Sequence, residues 1–306
     1  MEKIKTNFGA SILIVSVALL VALPVRVYQY LHVIDGTTGF YNNWLNPTVF
    51  GLYGLCALVV IALILLSLKG GKKTVYAMPA GKKTGLAVAS LALSLAFLVQ
   101  SAFDALKAYR IITGYTPVEQ LVLGNRAGKP TLAFTALQVV FGILSAVFFL
   151  AFSAGFFTGK ESYRKLKILA AAPAVWGVAR LMNGFTQTIS YRYVSELLFE
   201  LLMIVFLCMF FVAFAKFCIG TLQYRVQMRL FAYGLLGFFF ALLSAVPRYI
   251  IVLMGRQDVL YRSESIFAAV DLIVPIFIAC FIFSVASLKQ YKAVKEYGKS
   301  EEEISE

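Results

Sequence analysis

The stretch from Pro47 to Leu68, which reads PTVFGLYGLCALVVIALILLSL, decides the fold class. It contains no charged residue, and it is as long as the roughly 20 apolar residues that an α-helix needs to cross the hydrocarbon core of a bilayer. An uncharged apolar run of this length is typical of a transmembrane helix. We therefore expect a membrane protein.

Seven further stretches are also predominantly apolar and long enough to cross a membrane. They are Phe8–His32, Thr84–Arg110, Pro130–Phe157, Leu166–Thr188, Ser195–Phe217, Leu230–Gly255 and Ser263–Leu288. Of the 306 residues, 60% are hydrophobic and only 14% are charged, and the mean hydropathy is +0.83. Soluble domains are about half apolar and about a quarter charged, so this composition excludes a cytoplasmic enzyme, a disordered chain and a nucleic-acid-binding protein. The sequence predicts an all-α, polytopic membrane helix bundle with eight transmembrane helices.

The net charge of +13 comes from basic residues between the apolar stretches. Eighteen lysines and arginines fall in the termini and in the loops on the same side as the termini, against five in the opposite loops. Those five are Arg126, Lys129, Arg192, Arg256 and Arg262. Because cytoplasmic loops carry the excess of Lys and Arg, we expect both termini in the cytoplasm and the protein in the cell membrane.

This topology joins each odd-numbered helix to the next helix on the outside, so that the eight helices form four tandem hairpins. Residues 1–288 are predicted to be a single transmembrane domain, followed by a charged cytoplasmic tail at 289–306. Similar helix starts, such as Pro47-Thr48 and Pro130-Thr131, are compatible with two repeated halves, 1–157 and 158–288. Unrelated membrane helices also begin in this way, so the repeat remains an open alternative.

Polar side chains within the spans are the most informative residues, because a bilayer disfavours them unless they face water, a partner or the bundle interior. A rise of about 1.5 Å per residue puts them all in the outer half of the spans. The candidate ligand-binding residues are Arg26, Asp104, Gln138, Arg180, Asn183, Glu200, Arg248 and Asp271. Arg180 and Asp271 are predicted to lie deepest, and we expect Arg180 to pair with Glu200 or Asp271.

Two functions fit this polar layer. Guanidinium groups bind carboxylate and phosphate, so an outward-facing cavity would suit a transporter, flippase or receptor-like binder of a small anionic or zwitterionic solute or a lipid headgroup. In that case, we expect Arg26 and Arg248 to be open to water near the mouth of the cavity. The alternative is a structural or signalling membrane subunit in which the charges pair in a dry layer. The expected partners are the lipid bilayer and that small ligand, and the oligomeric state stays open.

Motifs for other functions are missing from the sequence. A membrane-embedded lipid-modifying enzyme is disfavoured because there is no Gly-x-Ser-x-Gly, no Gly-x-Gly-Asp and no pair of aspartate-rich motifs, and no catalytic residue is assigned. The cysteines all lie within apolar stretches, and the single histidine is His32. We therefore expect no disulfide framework, no metal site and no cofactor.

Four segments carry a resemblance to known sequences. They are RVYQYLHVIDGTTGFY at 26–41, Arg180-Leu-Met-Asn183, Ala215-Lys216-Phe217 and Pro247-Arg248. In these segments the chain resembles a group of uncharacterised eight-helix membrane proteins of anaerobic Gram-positive bacteria. The resemblance covers most of the chain. It implies a multi-pass membrane fold and no particular activity.

The predicted orientation can be tested by labelling. A cysteine introduced at Asn42, Gly124 or Gln257 should react with a membrane-impermeant maleimide in intact cells, because these positions fall in the predicted outer loops. A cysteine at Gly81 should react only after the membrane is permeabilised. Labelling of Gly81 in intact cells would show that the orientation is inverted.

Overall fold

The computed structural model is a bundle of helices. It describes residues 2–36, 40–43, 45–68, 79, 81–113, 129–159, 162–186, 194–220, 224–256, 259–260 and 268–286. Its α-helices are α1 (Glu2–His32), α2 (Pro47–Leu68), α3 (Thr84–Thr113), α4 (Lys129–Thr158), α5 (Ala172–Thr186), α6 (Val194–Ile219), α7 (Tyr224–Leu253) and α8 (Ala269–Ala286). Among the described residues, β structure amounts to one isolated bridge, between Ile34 and Tyr41. The all-α prediction is therefore confirmed for this part of the chain. The predicted tail at 289–306 lies outside it.

Seven helical stretches are long and apolar enough to cross a membrane. They are Gly9–His32, Pro47–Leu68, Thr84–Arg110, Leu132–Thr158, Leu166–Phe185, Leu198–Ile219 and Gln227–Leu253. Each corresponds to one of the predicted spans, so the chain is a multi-pass membrane protein by length and composition. In the described part of the eighth predicted span, Ser263–Leu288, the structure has the shorter apolar helix α8, whose 18 residues extend about 27 Å.

The fifth predicted span, Leu166–Thr188, differs from a regular α-helix. A 3₁₀ helix covers Ser162–Ala171, with non-helical backbone angles at Leu166, and α5 begins only at Ala172. Pro173 has no backbone N–H to donate to the carbonyl four residues earlier, and proline is tolerated in the first turn of a helix. The helix therefore starts again at this point instead of running through.

Helix α1 packs against α2, and each helix from α3 to α7 packs against the next one along the chain, including α4 with α5 and α6 with α7, so these contacts do not single out the four predicted hairpins. The α3–α4 pair is joined by serines that donate across the interface. Ser94 Oγ bonds the carbonyl of Ala146, and Ser153 Oγ bonds the carbonyl of Ala87, each at 2.7 Å. These two contacts put the helices antiparallel, and the small side chains allow their backbones to approach closely.

The bundle separates into a phenylalanine half and a polar half. The phenylalanine half is built from the later parts of α4, α6 and α8, which run in the same direction. Its buried rings are Phe148, Phe149, Phe152, Phe210, Phe211, Phe214, Phe217, Phe277 and Phe281. Neighbouring rings meet mostly edge to face, as in the 5.1 Å Phe149–Phe277 and Phe214–Phe281 contacts, which is a favoured geometry for aromatic pairs. The polar half lies where α4, α6 and α8 begin and where α1, α3, α5 and α7 end.

Truncation within the phenylalanine half should show how strongly it holds the bundle. Phe214→Ala should lower the midpoint of thermal unfolding in detergent, because removing a fully buried phenylalanine ring costs about 3–5 kcal/mol. Phe283→Ala is the matched control, since Phe283 is 56% exposed on the bundle surface whereas Phe214 is 0% exposed. Equal shifts for the two variants would contradict the assignment of Phe214 to a packed core.

Candidate functional site

An ion-paired arginine lies at the centre of the polar half. Arg180 on α5 binds Asp271 on α8 through both arms of its guanidinium, and the Nη2–Oδ2 bond measures 2.7 Å. The same Nη2 donates to Glu200 Oε1 on α6 at 3.0 Å. The predicted pairing of Arg180 with Glu200 or Asp271 is confirmed, and the arginine engages both. We call these three residues the Arg180 cluster.

Two local features position the Arg180 cluster. Trp176 lies one turn before Arg180 on α5, and the guanidinium carbon is 5.5 Å from the centre of its ring. Asp271 falls in the first turn of α8, where the positive end of the helix dipole favours a carboxylate. The described helix α8 begins at Ala269, two residues before Asp271, whereas Ser263, from which the predicted span begins, lies outside the described residues.

The Arg180 cluster carries an excess of negative charge. One guanidinium faces two carboxylates, so the formal charge of the three-residue cluster is −1. The side chains of Arg180 and Glu200 remain 15% and 14% exposed, so the cluster is not sealed from its surroundings. Asp104 on α3 lies within electrostatic range of Arg180 and accepts a 3.2 Å hydrogen bond from Gln100 Nε2. This adds a third carboxylate to the neighbourhood.

An amide group extends the polar half between α4 and α5. Asn183 Nδ2 donates to Thr135 Oγ1 at 3.2 Å and to Gln138 Oε1 at 3.4 Å. All three side chains are buried. Asn183 lies one turn beyond Arg180, so the structure brings the candidates Gln138 and Asn183 together with each other and close to the Arg180 cluster.

Arg26 does not have the water access that the cavity interpretation predicts. It is 1% exposed, and its guanidinium donates to Gln29 at 2.9 Å and to the hydroxyls of Tyr41 and Tyr30 at 3.3 and 3.4 Å. The chain after α1 turns back through the bridge between Ile34 and Tyr41, which puts the Tyr41 hydroxyl against the arginine. This return is a tertiary feature that helical spacing does not reveal.

Aromatic rings complete the enclosure of Arg26. Its guanidinium carbon is 4.6 Å from the ring centre of Tyr30 and 4.8 Å from that of Phe199 on α6, both within the range of cation–π attraction. Gln29, which accepts from Arg26, itself donates to the carbonyl of Thr48 at the start of α2. Arg26 therefore connects α1, α2 and α6. Phe199 is adjacent to Glu200 of the Arg180 cluster.

Arg248 is also buried, contrary to the prediction of a position open to water. It follows Pro247 near the end of α7 and is 5% exposed. α7 contacts α1, α2, α6 and α8, and a helix so surrounded has little surface left for an open mouth. The eight candidates thus comprise the Arg180 cluster with Asp104, the amide group of Gln138 and Asn183, and two enclosed arginines.

Three buried polar atoms that the sequence did not assign to the site lie beside these groups. Ser101 Oγ, Gln100 Oε1 and Trp176 Nε1 find no hydrogen-bond partner among the described residues. Spacing offers one signal for Ser101, which lies one turn before Asp104 on α3. The indole N–H of Trp176 offers none, because a tryptophan facing a bundle interior is expected simply to pack.

The described residues contain no group of three or more His, Cys, Asp or Glu side chains that could hold a metal ion. The chemistry that they do offer is hydrogen bonding and charge recognition. Carboxylates attract a positive group, and the indole N–H and the hydroxyl can donate to an acceptor.

Removal of Arg180 should destabilise the protein. Arg180→Gln leaves Asp271 and Glu200 without their counter-ion, and breaking a buried pair in this way costs about 3–5 kcal/mol. We expect a clearly lower unfolding midpoint in detergent, partly recovered when Asp271→Asn is added. The control is Arg110→Gln, an exposed arginine in the last turn of α3. An unfolding midpoint for Arg180→Gln no lower than that of the control would contradict a structural ion pair.

No protein-family model matches the chain, and comparison with curated proteins and with solved structures finds no match either. The resemblance to eight-helix membrane proteins of anaerobic Gram-positive bacteria therefore stays a prediction, and the function is argued from the site alone.

Proposed function

We propose that this protein is a transporter, flippase or receptor-like binder of the bacterial cytoplasmic membrane that binds a small zwitterionic solute or a zwitterionic lipid headgroup at the Arg180 cluster. In this proposal both termini are cytoplasmic and the polar half of the bundle faces outward. The eight-helix topology and membership of the Gram-positive group are part of the same proposal.

The observation that carries the proposal is the charge balance around Arg180. One guanidinium is bound by the carboxylates of Asp271 and Glu200, and the buried carboxyl group of Asp104 lies within electrostatic range of Arg180 and of Lys107. Ionisable groups within membrane helices are costly and commonly mark the paths of substrates and ions. A cluster with more carboxylates than it needs to neutralise its arginine attracts a positively charged group.

The same balance disfavours a purely anionic ligand. Such a ligand would meet a formal charge of −1 and would have to displace Asp271 or Glu200 from Arg180 before it could bind the guanidinium. Arg26 and Arg248, the other two arginines expected to bind an anion, are 1% and 5% exposed. A zwitterion avoids this conflict because its ammonium group can approach Glu200 and Asp104 while its anionic group binds elsewhere.

Three helices have a proline in their interior, beyond the first turn. Pro24 lies within α1, Pro247 within α7 and Pro275 within α8. Each removes a backbone hydrogen bond, and Pro275 leaves the carbonyl of Asp271 without its usual helical donor. All three helices run continuously through these prolines, so what the prolines contribute near the polar half is carbonyl oxygens that lack a helical donor.

A structural or signalling subunit is the second candidate, and Arg26 favours it. Gln29, Tyr30, Tyr41 and Phe199 enclose Arg26. A charged side chain that serves only to hold helices together is expected to be enclosed in this way. This function needs no ligand. Thermal unfolding of the protein in the presence of small molecules therefore separates the two candidates.

We expect L-alanine or phosphoethanolamine to raise the unfolding midpoint of the detergent-purified protein in a concentration-dependent way, because a ligand that binds only the folded state stabilises it. Propionate, which lacks the ammonium group, should have no effect. Nanodiscs with and without phosphatidylethanolamine form the lipid arm of the same measurement. Stabilisation by propionate equal to that by L-alanine would contradict the charge argument, and a midpoint unmoved by every probe would favour the structural subunit.

A further inference from the structure

Two buried polar groups meet between α3, α4 and α5, one turn deeper than Arg180. Ser101 on α3 and Trp176 on α5 are each 3% exposed, and neither Ser101 Oγ nor Trp176 Nε1 has a hydrogen-bond partner in the described part of the chain. Buried polar groups in native proteins are nearly always satisfied by protein, water or ligand. Two buried polar groups without hydrogen-bond partners beside a charged cluster therefore indicate that a water molecule or a ligand binds to them.

Gly142 on α4 permits this arrangement. A Cβ atom at position 142 would lie 2.2 Å from Ser101 Oγ and 3.5 Å from Trp176 Cδ1. Any residue larger than glycine would therefore push the serine hydroxyl away. Trp176 Cδ1 is bonded to Nε1, so the hydroxyl and the indole N–H lie on the same side of the interface. We call Ser101, Trp176 and Gly142 the donor gap.

Other buried serines of α3 do find a hydrogen-bond acceptor. Ser94 is 2% exposed and donates to the carbonyl of Ala146, and Ser90 donates to the carbonyl of Leu86 within α3. Ser101 differs from them although it lies on the same helix. The donor gap thus contrasts with the hydrogen-bonded serines Ser90 and Ser94 of the same helix.

The chemistry of the donor gap specifies what it can hold. An indole N–H only donates, and a hydroxyl both donates and accepts, so the occupant must present an acceptor oxygen. The surroundings fix the indole in place, since the ring of Phe97 packs edge-on against it at 5.1 Å and Arg180 lies over its face.

Nearer the end of α3, by contrast, a buried acceptor lacks a hydrogen-bond donor. Gln100 Oε1 is a buried acceptor that finds no donor among the described residues, while its amide nitrogen is bound to Asp104. Gln100 immediately precedes Ser101 on α3, and its amide reaches towards Asp104, which lies about one helical turn beyond Ser101. A donor patch and an acceptor patch one turn apart match a molecule that has an anionic group at one end and an ammonium group at the other.

We infer that Ser101 and Trp176 form the subsite for the anionic group of the zwitterion, with Gly142 leaving the space that the serine hydroxyl occupies and with Gln100 and Asp104 facing its ammonium group. The inference rests on the proposed function and adds to it a binding role for two uncharged side chains. The anionic group is a carboxylate in a free amino acid or a phosphate in a headgroup, and both present acceptor oxygens.

Tryptophan fluorescence gives a direct readout, because the chain contains two tryptophans, and Trp44→Phe leaves Trp176 as the only one. In this background, L-alanine or phosphoethanolamine should shift the Trp176 emission, since a new acceptor at Nε1 changes the surroundings of the indole. A shift in nanodiscs containing phosphatidylethanolamine, with no shift from the soluble probes, assigns the subsite to a lipid headgroup.

Affinity measured by thermal stabilisation tests the two donors separately. Trp176→Phe keeps an aromatic ring for Phe97 and Arg180 but removes the N–H, and Ser101→Ala removes the hydroxyl. Each should weaken binding of the probe that stabilises the wild type by roughly tenfold or more, as expected for loss of a hydrogen bond to a charged group. Ser101→Ala should leave the unfolding midpoint of the ligand-free protein nearly unchanged, because the hydroxyl has no partner among the described residues. Trp176→Phe should lower it by removing buried ring volume, so affinity for the probe is the readout for both variants.

Ser94→Ala is the matched control. It should lower the unfolding midpoint through loss of the bond to Ala146 and leave affinity unchanged. If the probes stabilise the wild type and also bind both donor variants with wild-type affinity, the subsite assignment is overturned while the proposed function stands. If no probe stabilises the wild type or shifts the Trp176 emission, both are overturned, and the donor gap holds water only.

Discussion

The pairing of Arg180 with Asp271 and Glu200 is the interaction on which the rest of the structure depends. A guanidinium cannot remain unpaired in an apolar bundle without a large loss of hydration energy, so α5, α6 and α8 must meet at this point. The carboxylate of Asp271 is available there because α8 starts at Ala269 and presents it in its first turn. The ion pair with Arg180 therefore fixes where the short helix α8 lies in the bundle.

The phenylalanine half supplies the complementary constraint. Rings such as Phe149, Phe214 and Phe277 pack where α4, α6 and α8 continue beyond the polar half, and the three charged side chains of the Arg180 cluster lie outside this packing. Phe97 forms the boundary, since it stacks on Phe149 at 5.8 Å and meets Trp176 edge-on. Polar recognition is thereby confined to one half of the bundle, and any passage of a ligand through the protein would require the phenylalanine packing to open.

Hydropathy and helical spacing predict much of this structure but not all of it. The spans follow from apolar runs such as Pro47–Leu68, and the Arg180 pairing follows from the rule that membrane-buried charges need partners. The burial of Arg26 does not follow, because it depends on Tyr41 returning to α1 through a loop contact. The donor gap could not be predicted either, since an unsatisfied Ser101 is visible only when the partners of every neighbouring group are known.

A cryo-EM structure of the full chain in nanodiscs containing phosphatidylethanolamine, with L-alanine added, would test the central claim most directly. That claim is that the carboxylate excess around Arg180 holds the positive end of a zwitterion. We expect Arg180 to remain bound to Asp271 and Glu200, with non-protein density reaching from the donor gap to Asp104. Density at the donor gap no larger than a water molecule, or an Arg180 bound to a ligand in place of both carboxylates, would contradict the account.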